Sequence, residues 1–199
     1  MEKVAAVAFF VMVAVAAVPA HAAPPCLSED NSELCMLADA TLADNPTFAE
    51  LQRASPDDER ARASRHQERR QDVRNLLNTL AAPTWRDLYR AGYVIAYGST
   101  PEEDLLAHAI SVRALSLAPE EMDVRFLVAM TLDELGRRYV GYQLYGRQKY
   151  FHFAPSGAVD TACLPEMLDP PLPQSIGPAF HTPADGFERC PPGVGALQR

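Results

Sequence analysis

The sequence carries no self-sufficient signature of a catalytic or metal site. It has no G-x-S-x-G elbow, no H-E-x-x-H pair, no glycine-rich phosphate loop and no c-type haem motif. The common hydrolase, zinc-protease, nucleotide and haem chemistries therefore lack their usual residues. Basic charge is scarce: 18 Lys and Arg stand against 26 Asp and Glu, for a net charge of -8. Such a surface is a poor partner for nucleic acid. No C-x-x-C spacing occurs among Cys26, Cys35, Cys163 and Cys190, and His66, His152 and His181 form no ligand spacing with one another or with the cysteines. Zinc is disfavoured on that ground, and neither a metal nor an organic cofactor is expected.

What is present begins with an unbroken apolar run from Val4 to Ala20, with Lys3 in front and Ala20-His21-Ala22 behind. That is the layout of a secretory signal peptide over residues 1–22 with an A-x-A cleavage site. The run also approaches the roughly 17 to 25 residues that span a bilayer, so an uncleaved anchor is the competing reading. Pro19 and the small residues after it favour cleavage, and Ala23-Pro24-Pro25 before Cys26 does not suit lipid attachment. The expectation is an exported protein, periplasmic or secreted, with no membrane span once the signal is removed. Four cysteines in such a chain read as two disulfides. Of the three pairings, Cys26 with Cys35 and Cys163 with Cys190 is favoured because each closes a local loop. A Cys26 to Cys190 link would instead tie the two ends together.

The mature chain divides into an N-terminal extension (23–54), a helical domain (55–150) and a tail (151–199) that holds nine of the 17 prolines. Leu34 to Leu42 is a candidate short helix pinned by Cys35. Ser55-Pro56-Asp57-Asp58 offers an N-cap, a proline at the first helical position and early acids, and the stretch to Leu80 then runs without glycine or proline, predicting one long helix. Ala82-Pro83 ends it and Thr84 caps the next, in which Trp85, Leu88, Tyr89, Gly92, Tyr93 and Ala96 recur at helical spacing before a terminal Gly98. Thr100-Pro101-Glu102-Glu103 is a capping box for a third helix with Leu105, Leu106, Ala109, Ile110, Val112 and Leu115. A fourth starts at Pro119-Glu120-Glu121, carries Phe126, Val128, Leu132, Leu135 and Tyr139, and ends near Gly141. The predicted class is all-α: an antiparallel bundle of about four main helices with a proline-rich, disulfide-tied tail. The hairpin 85–118 faintly resembles a tetratricopeptide unit, with Ala107, Ala114 and Pro119 at its small-residue and proline positions.

Polar residues that could carry chemistry are few. Gln143-Leu144-Tyr145-Gly146-Arg147-Gln148 places two amides around a Tyr-Gly pair, so that Gln143, Tyr145 and Gln148 either tie off a helix end or wall a pocket for an amide-bearing or carboxylate-bearing ligand. His108 lies one turn after Asp104, as an acid-histidine couple for general-base work or as a solvated pair. Asp133 precedes Glu134; adjacent acids point about a hundred degrees apart around a helix, so one of the two is expected to face the interior. An inward Asp133 is placed to pair with Arg70 or Arg74. The six arginines from Arg60 to Arg74, interleaved with Glu68 and Asp72, suggest a solvated face laced with ion pairs, or a surface for an acidic partner.

The same segment resembles the Q-x-Y-G-T-Q ending of a family of uncharacterised, mostly bacterial helical proteins, described as a domain of unknown function. The resemblance covers about residues 68–148: Ala96-Tyr97-Gly98 stands at a Q-H-G turn, Ala107-His108 at an A-H pair and Asp133-Glu134 at an acid-arginine pair. Tyr97, Glu134 and Arg147 depart from the family pattern. The resemblance implies a helical fold in a bacterial protein and brings no established activity. The function expected is a binding or interaction module of the bacterial envelope, with an unknown protein or small polar ligand as partner. One alternative is a small hydrolase-like enzyme with His108 and Asp133 as candidate catalytic residues and Gln143, Tyr145 and Gln148 as its pocket. The other is a purely structural envelope protein.

Overall fold

The computed structural model describes residues 24–47, 50, 53–140, 143, 145, 150–153 and 159–163. The apolar N-terminal run, Gln148, Cys190 and most of the proline-rich tail lie outside them. Among the described residues five helices follow in chain order: α1 (Ser32–Ala43), α2 (Pro56–Thr79), α3 (Trp85–Ile95), α4 (Pro101–Leu117) and α5 (Met122–Val140). The domain they build is all-α. No helix among the described residues is long and apolar enough to cross a membrane.

Local chemistry sets the helix starts. Asn31, Ser55, Thr84 and Thr100 each accept an amide of the first turn through the side chain, satisfying a donor that the helix itself leaves open. At Ser55 and Thr84 an aspartate three residues on reaches back and completes a capping box. At Thr100 the expected box is only half formed. Glu103 takes the amide of Ser99 at 2.8 Å, while its other oxygen holds Arg70 at 2.9 Å and Arg74 at 3.0 Å. Its carboxylate thus serves the Ser99 amide and two guanidinium groups. The last helix starts at Met122, three residues after Pro119, because Pro119-Glu120 is used in a turn closed by the Glu121 amide on the Ala118 carbonyl.

The helix α3 is the centre of the bundle and packs against each of the other four. Leu88, Tyr89, Ala91, Val94 and Ile95 are buried on it, meeting Leu34 and Ala38 of α1, Val73 of α2, Ala107, Ile110 and Ala114 of α4, and Val124, Leu127 and Met130 of α5. Gly92 sets the approach of α4 and α5. A Cβ there would lie 2.9 Å from Ser111 Oγ and 3.3 Å from Leu127 Cδ2. Gly98 is likewise a matter of space, since its Cβ would lie 2.4 Å from Glu103 Cβ.

The segment before α1 is fastened to α3 by a buried polar cluster. Cys26 and Cys35 form the expected disulfide, with Cα atoms 6.1 Å apart. Inside the loop it closes, Asp30 accepts from the Leu27 amide, Thr84, Arg86 and Arg90, and Arg90 also donates to the Pro24 carbonyl at 2.7 Å. Burial works to raise the Asp30 pKa, and these donors more than offset it, holding the carboxyl below its usual value.

Three sequence expectations are corrected. The arginine face of α2 is not simply solvated: Arg65 and Arg69 clasp Asp44, and Arg70 is buried against Glu103. Arg70 and Arg74 therefore serve Glu103, and the Asp133 carboxylate takes the Tyr145 amide at 2.7 Å. The expected apolar faces of α4 and α5 hold only in part: Ile110 is in the core and Leu106, Leu115 and Phe126 pack against it. Leu105, Val112 and Tyr139 are exposed, whereas Ala107, Ser111, Ala114, Thr131, Asp133, Glu134 and Arg137 face inward. Finally, the start of the tail is not aperiodic. Tyr150–Phe153 (β1) pairs antiparallel with Val159–Cys163 (β2), with Tyr150 opposite Cys163 and His152 opposite Thr161.

Candidate functional site

Small residues on α4 let α5 come close, and the seam between them is polar at one end. Ala96, Asp104, Ala107, Met130, Thr131 and Glu134 line a cavity of about 10 Å³, room for about one water molecule. Asp104 is 2% exposed. Its neighbours are Glu134, Arg137 and Arg138, one helical turn along α5.

Glu134 is fully engaged. It accepts from Arg137 Nε at 3.1 Å and Arg138 Nη2 at 3.2 Å, and Arg137 Nη2 makes a further short contact. Arg138 also donates to the Ser99 carbonyl at 3.2 Å. Asp104 is placed differently. Arg138 Nε touches Asp104 Oδ2 as an ion pair, and Asp104 Oδ1 has no hydrogen-bond partner. Charge is balanced there while hydrogen bonding is not. Burial pushes the Asp104 carboxyl up to about 6; Arg138 pulls it back down and Glu134 adds to the rise.

His108 sits one turn above Asp104, half-buried. Its Nδ1 is 3.1 Å from Thr131 Oγ1, and that hydroxyl donates to the Leu127 carbonyl at 2.9 Å. The Thr131 oxygen therefore accepts from Nδ1–H, which leaves Nε2 as the basic nitrogen. Burial lowers the His108 pKa, with the Val128 carbonyl acting to raise it, and the ring is neutral at pH 7. The Thr131 hydroxyl also has the Leu127 and Val128 carbonyls of its own helix as acceptors, at 2.9 and 3.1 Å, beside His108. His108 and Thr131 thus form a positioning pair rather than a base and its nucleophile.

The sequence-predicted residues fall in two places. His108 pairs with Thr131 and not with Asp104. Asp133, fully buried, anchors Tyr145. Gln143 is fully buried, Tyr145 is half-buried, and Gln148 lies outside the described residues. The Tyr145 amide is tied to α5 through Asp133. Sequence reasoning noticed Asp104 only as a partner for His108 and missed Thr131 and Arg138. The i,i+4 pair Glu134-Arg138 was the available signal, but it looks the same on a solvated face. Among the described residues, no group of three or more His, Cys, Asp or Glu side chains could hold a metal ion.

Comparison of the chain with protein families, with curated proteins and with solved structures found no match.

Proposed function

We propose that the protein is an exported helical binding module of the bacterial envelope, whose α4–α5 pocket receives a small polar group of its ligand at Asp104. The observation that carries this reading is Asp104 itself, a buried carboxylate that faces a cavity, with the Arg138 ion pair on one oxygen and no partner on the other. Buried polar groups are ordinarily hydrogen-bonded, and one left open marks a place where a partner is missing. The Cys26–Cys35 disulfide supports the export half, because such bonds persist in oxidising compartments; so does the signal-like N-terminal run. The Q-x-Y-G-x-Q resemblance supports the bacterial assignment.

The hydrolase alternative rests on the neutral His108, whose hydroxyl neighbour, Thr131, also has two carbonyls of its own helix as acceptors. The purely structural alternative predicts that Asp104 serves the fold. Chemical denaturation of Asp104→Asn decides between them. If Asp104 is kept for a ligand, the midpoint stays level or rises, since Arg138 retains Glu134 and the Ser99 carbonyl. A fall worth about 3 kcal/mol with unchanged m, as when a buried pair is broken, would overturn the reading.

A further inference from the structure

We infer that the outward face of α4 is a contact surface for a second copy of the chain, the two α4 helices lying antiparallel about a two-fold axis; this does not rest on the reading of Asp104. The helix α4 packs against α3 on one side and α5 on another. Its remaining face carries Leu105, Ala109, Val112 and Ser116, at steps of four, three and four residues that keep them within about 60° around the helix. All four are exposed, Leu105 to 59% and Val112 to 44%, and no charge interrupts the stripe. The pairing of Asp104 with Arg138 and of His108 with Thr131 sets Leu105 level with Leu135 and Val112 level with Val128, both half-buried, so α5 extends the apolar surface. One apolar face turned to the core is enough to hold a helix in a bundle; a second one left open marks contact with something further.

The occupant is read from the order of residues along the stripe, which is nearly the same in both directions. Turning α4 end over end about a point beside Ala109 sets Leu105 against the partner's Val112 and Val112 against the partner's Leu105. Ala109 then meets the partner's Ala109, where methyl side chains let two helices come close. Glu102 and Arg113 flank the stripe on the edge away from α5, both exposed, and the same turn brings Glu102 within side-chain reach of the partner's Arg113. Like charges at the two ends would repel a second copy; here each acid meets a base, as a self-complementary contact requires. Arg113 is available for this, since it donates within the chain to the exposed Ser116 hydroxyl at 3.3 Å. A lipid surface fits less well, because an interfacial helix carries Lys and Arg along its polar flanks, and α4 sets Arg113 alone against Glu102, Glu103 and Asp104. The helix is 17 residues long, about 25 Å. A contact of one helix on one is small and the association weak, with a Kd on the order of 10–100 µM.

The test is sedimentation equilibrium of the purified protein from about 5 to about 500 µM, a span that brackets such a Kd. The expected result is a reversible equilibrium between monomer and dimer. Leu105→Glu, at an exposed position that leaves the core untouched, should weaken it at least about tenfold with the denaturation midpoint unchanged. Glu102→Arg and Arg113→Glu should each weaken it by about threefold to tenfold, because each variant sets like charges together at both ends of its own pair. An equimolar mixture of these two variants restores opposite charges at both ends, so it should dimerise about as tightly as the wild type. That rescue reads the antiparallel register itself. A monomer at every concentration would overturn the inference, as would assemblies larger than a dimer. A dimer indifferent to Leu105→Glu, or charge variants that the mixture fails to rescue, would place the contact elsewhere and overturn it equally.

Discussion

Acid should weaken this protein through His66, and the size of the effect follows from where α2 puts that ring. His66 is 5% exposed and lies flat on Tyr97, with ring centroids 4.8 Å apart. Its Nδ1 has no hydrogen-bond partner. Burial lowers the pKa from 6.5 to about 4, helped by Arg69, Arg70 and Arg62 and opposed by Asp44. An unfolded chain binds the proton near pH 6.5 and the folded one refuses it until about pH 4, so stability falls as pH drops through that window. At about 1.4 kcal/mol per unit the full gap is about 3 kcal/mol, and solvent screening along the edge of α2 reduces it to about 2. His66→Phe keeps a flat ring on Tyr97 and removes the titration. Asp104, whose raised pKa acts in the opposite direction over part of the range, is common to both proteins and cancels in the difference. Urea midpoints measured at about pH 7 and about pH 4 should show the wild type losing about 2 kcal/mol more than the variant. Parallel losses in the two proteins would refute the placement of a neutral, buried His66.

Other perturbations probe the frame around the pocket. Arg90→Met should destabilise by about 3 kcal/mol in thermal or chemical denaturation, because it strips a charge partner from the buried Asp30 and a donor from the Pro24 carbonyl. Replacing both Cys26 and Cys35 by serine opens a loop of sequence separation 9 and should cost about 2–3 kcal/mol, read as the difference between midpoints of oxidised wild type and variant. Gly92→Ala should cost about 1–3 kcal/mol by pushing Ser111 and Leu127 off α3. Gly98→Ala should be worse by the same assay, since the atom it meets is the Glu103 Cβ, which cannot swing aside.

Much of the helical frame was legible because it is written locally. Ser55, Thr84 and Thr100 cap where their side chains suggest, and Ala82-Pro83 separates α2 from α3. What escaped depends on contacts between distant residues. The inward stripe of α2 is His66, Arg70 and Val73, so an apolar-periodicity search finds no face there. On α5, Leu132, Leu135 and Tyr139 suggest one phase and the packed residues Val124, Leu127, Met130 and Thr131 another; helix spacing alone does not choose between them. Asp30 meets Arg90 across 60 residues, a pairing no local pattern announces. The Tyr150–Phe153 ribbon is only four residues long and pairs with a five-residue strand, too short to stand out beside the prolines. The pocket was half visible. Asp104 and His108 stood one turn apart as a recognised pair, while the residues that engage them, Arg138 and Thr131, come from another helix.

The most direct measurement is the titration of the Asp104 carboxyl carbon by NMR in the unliganded protein. Burial, with Glu134 beside it, is expected to put that carboxyl near 6 against the pull of Arg138. A midpoint at or below the ordinary 3.8 would mean that Arg138 already satisfies Asp104, and the case for a ligand at the α4–α5 seam would fall with it.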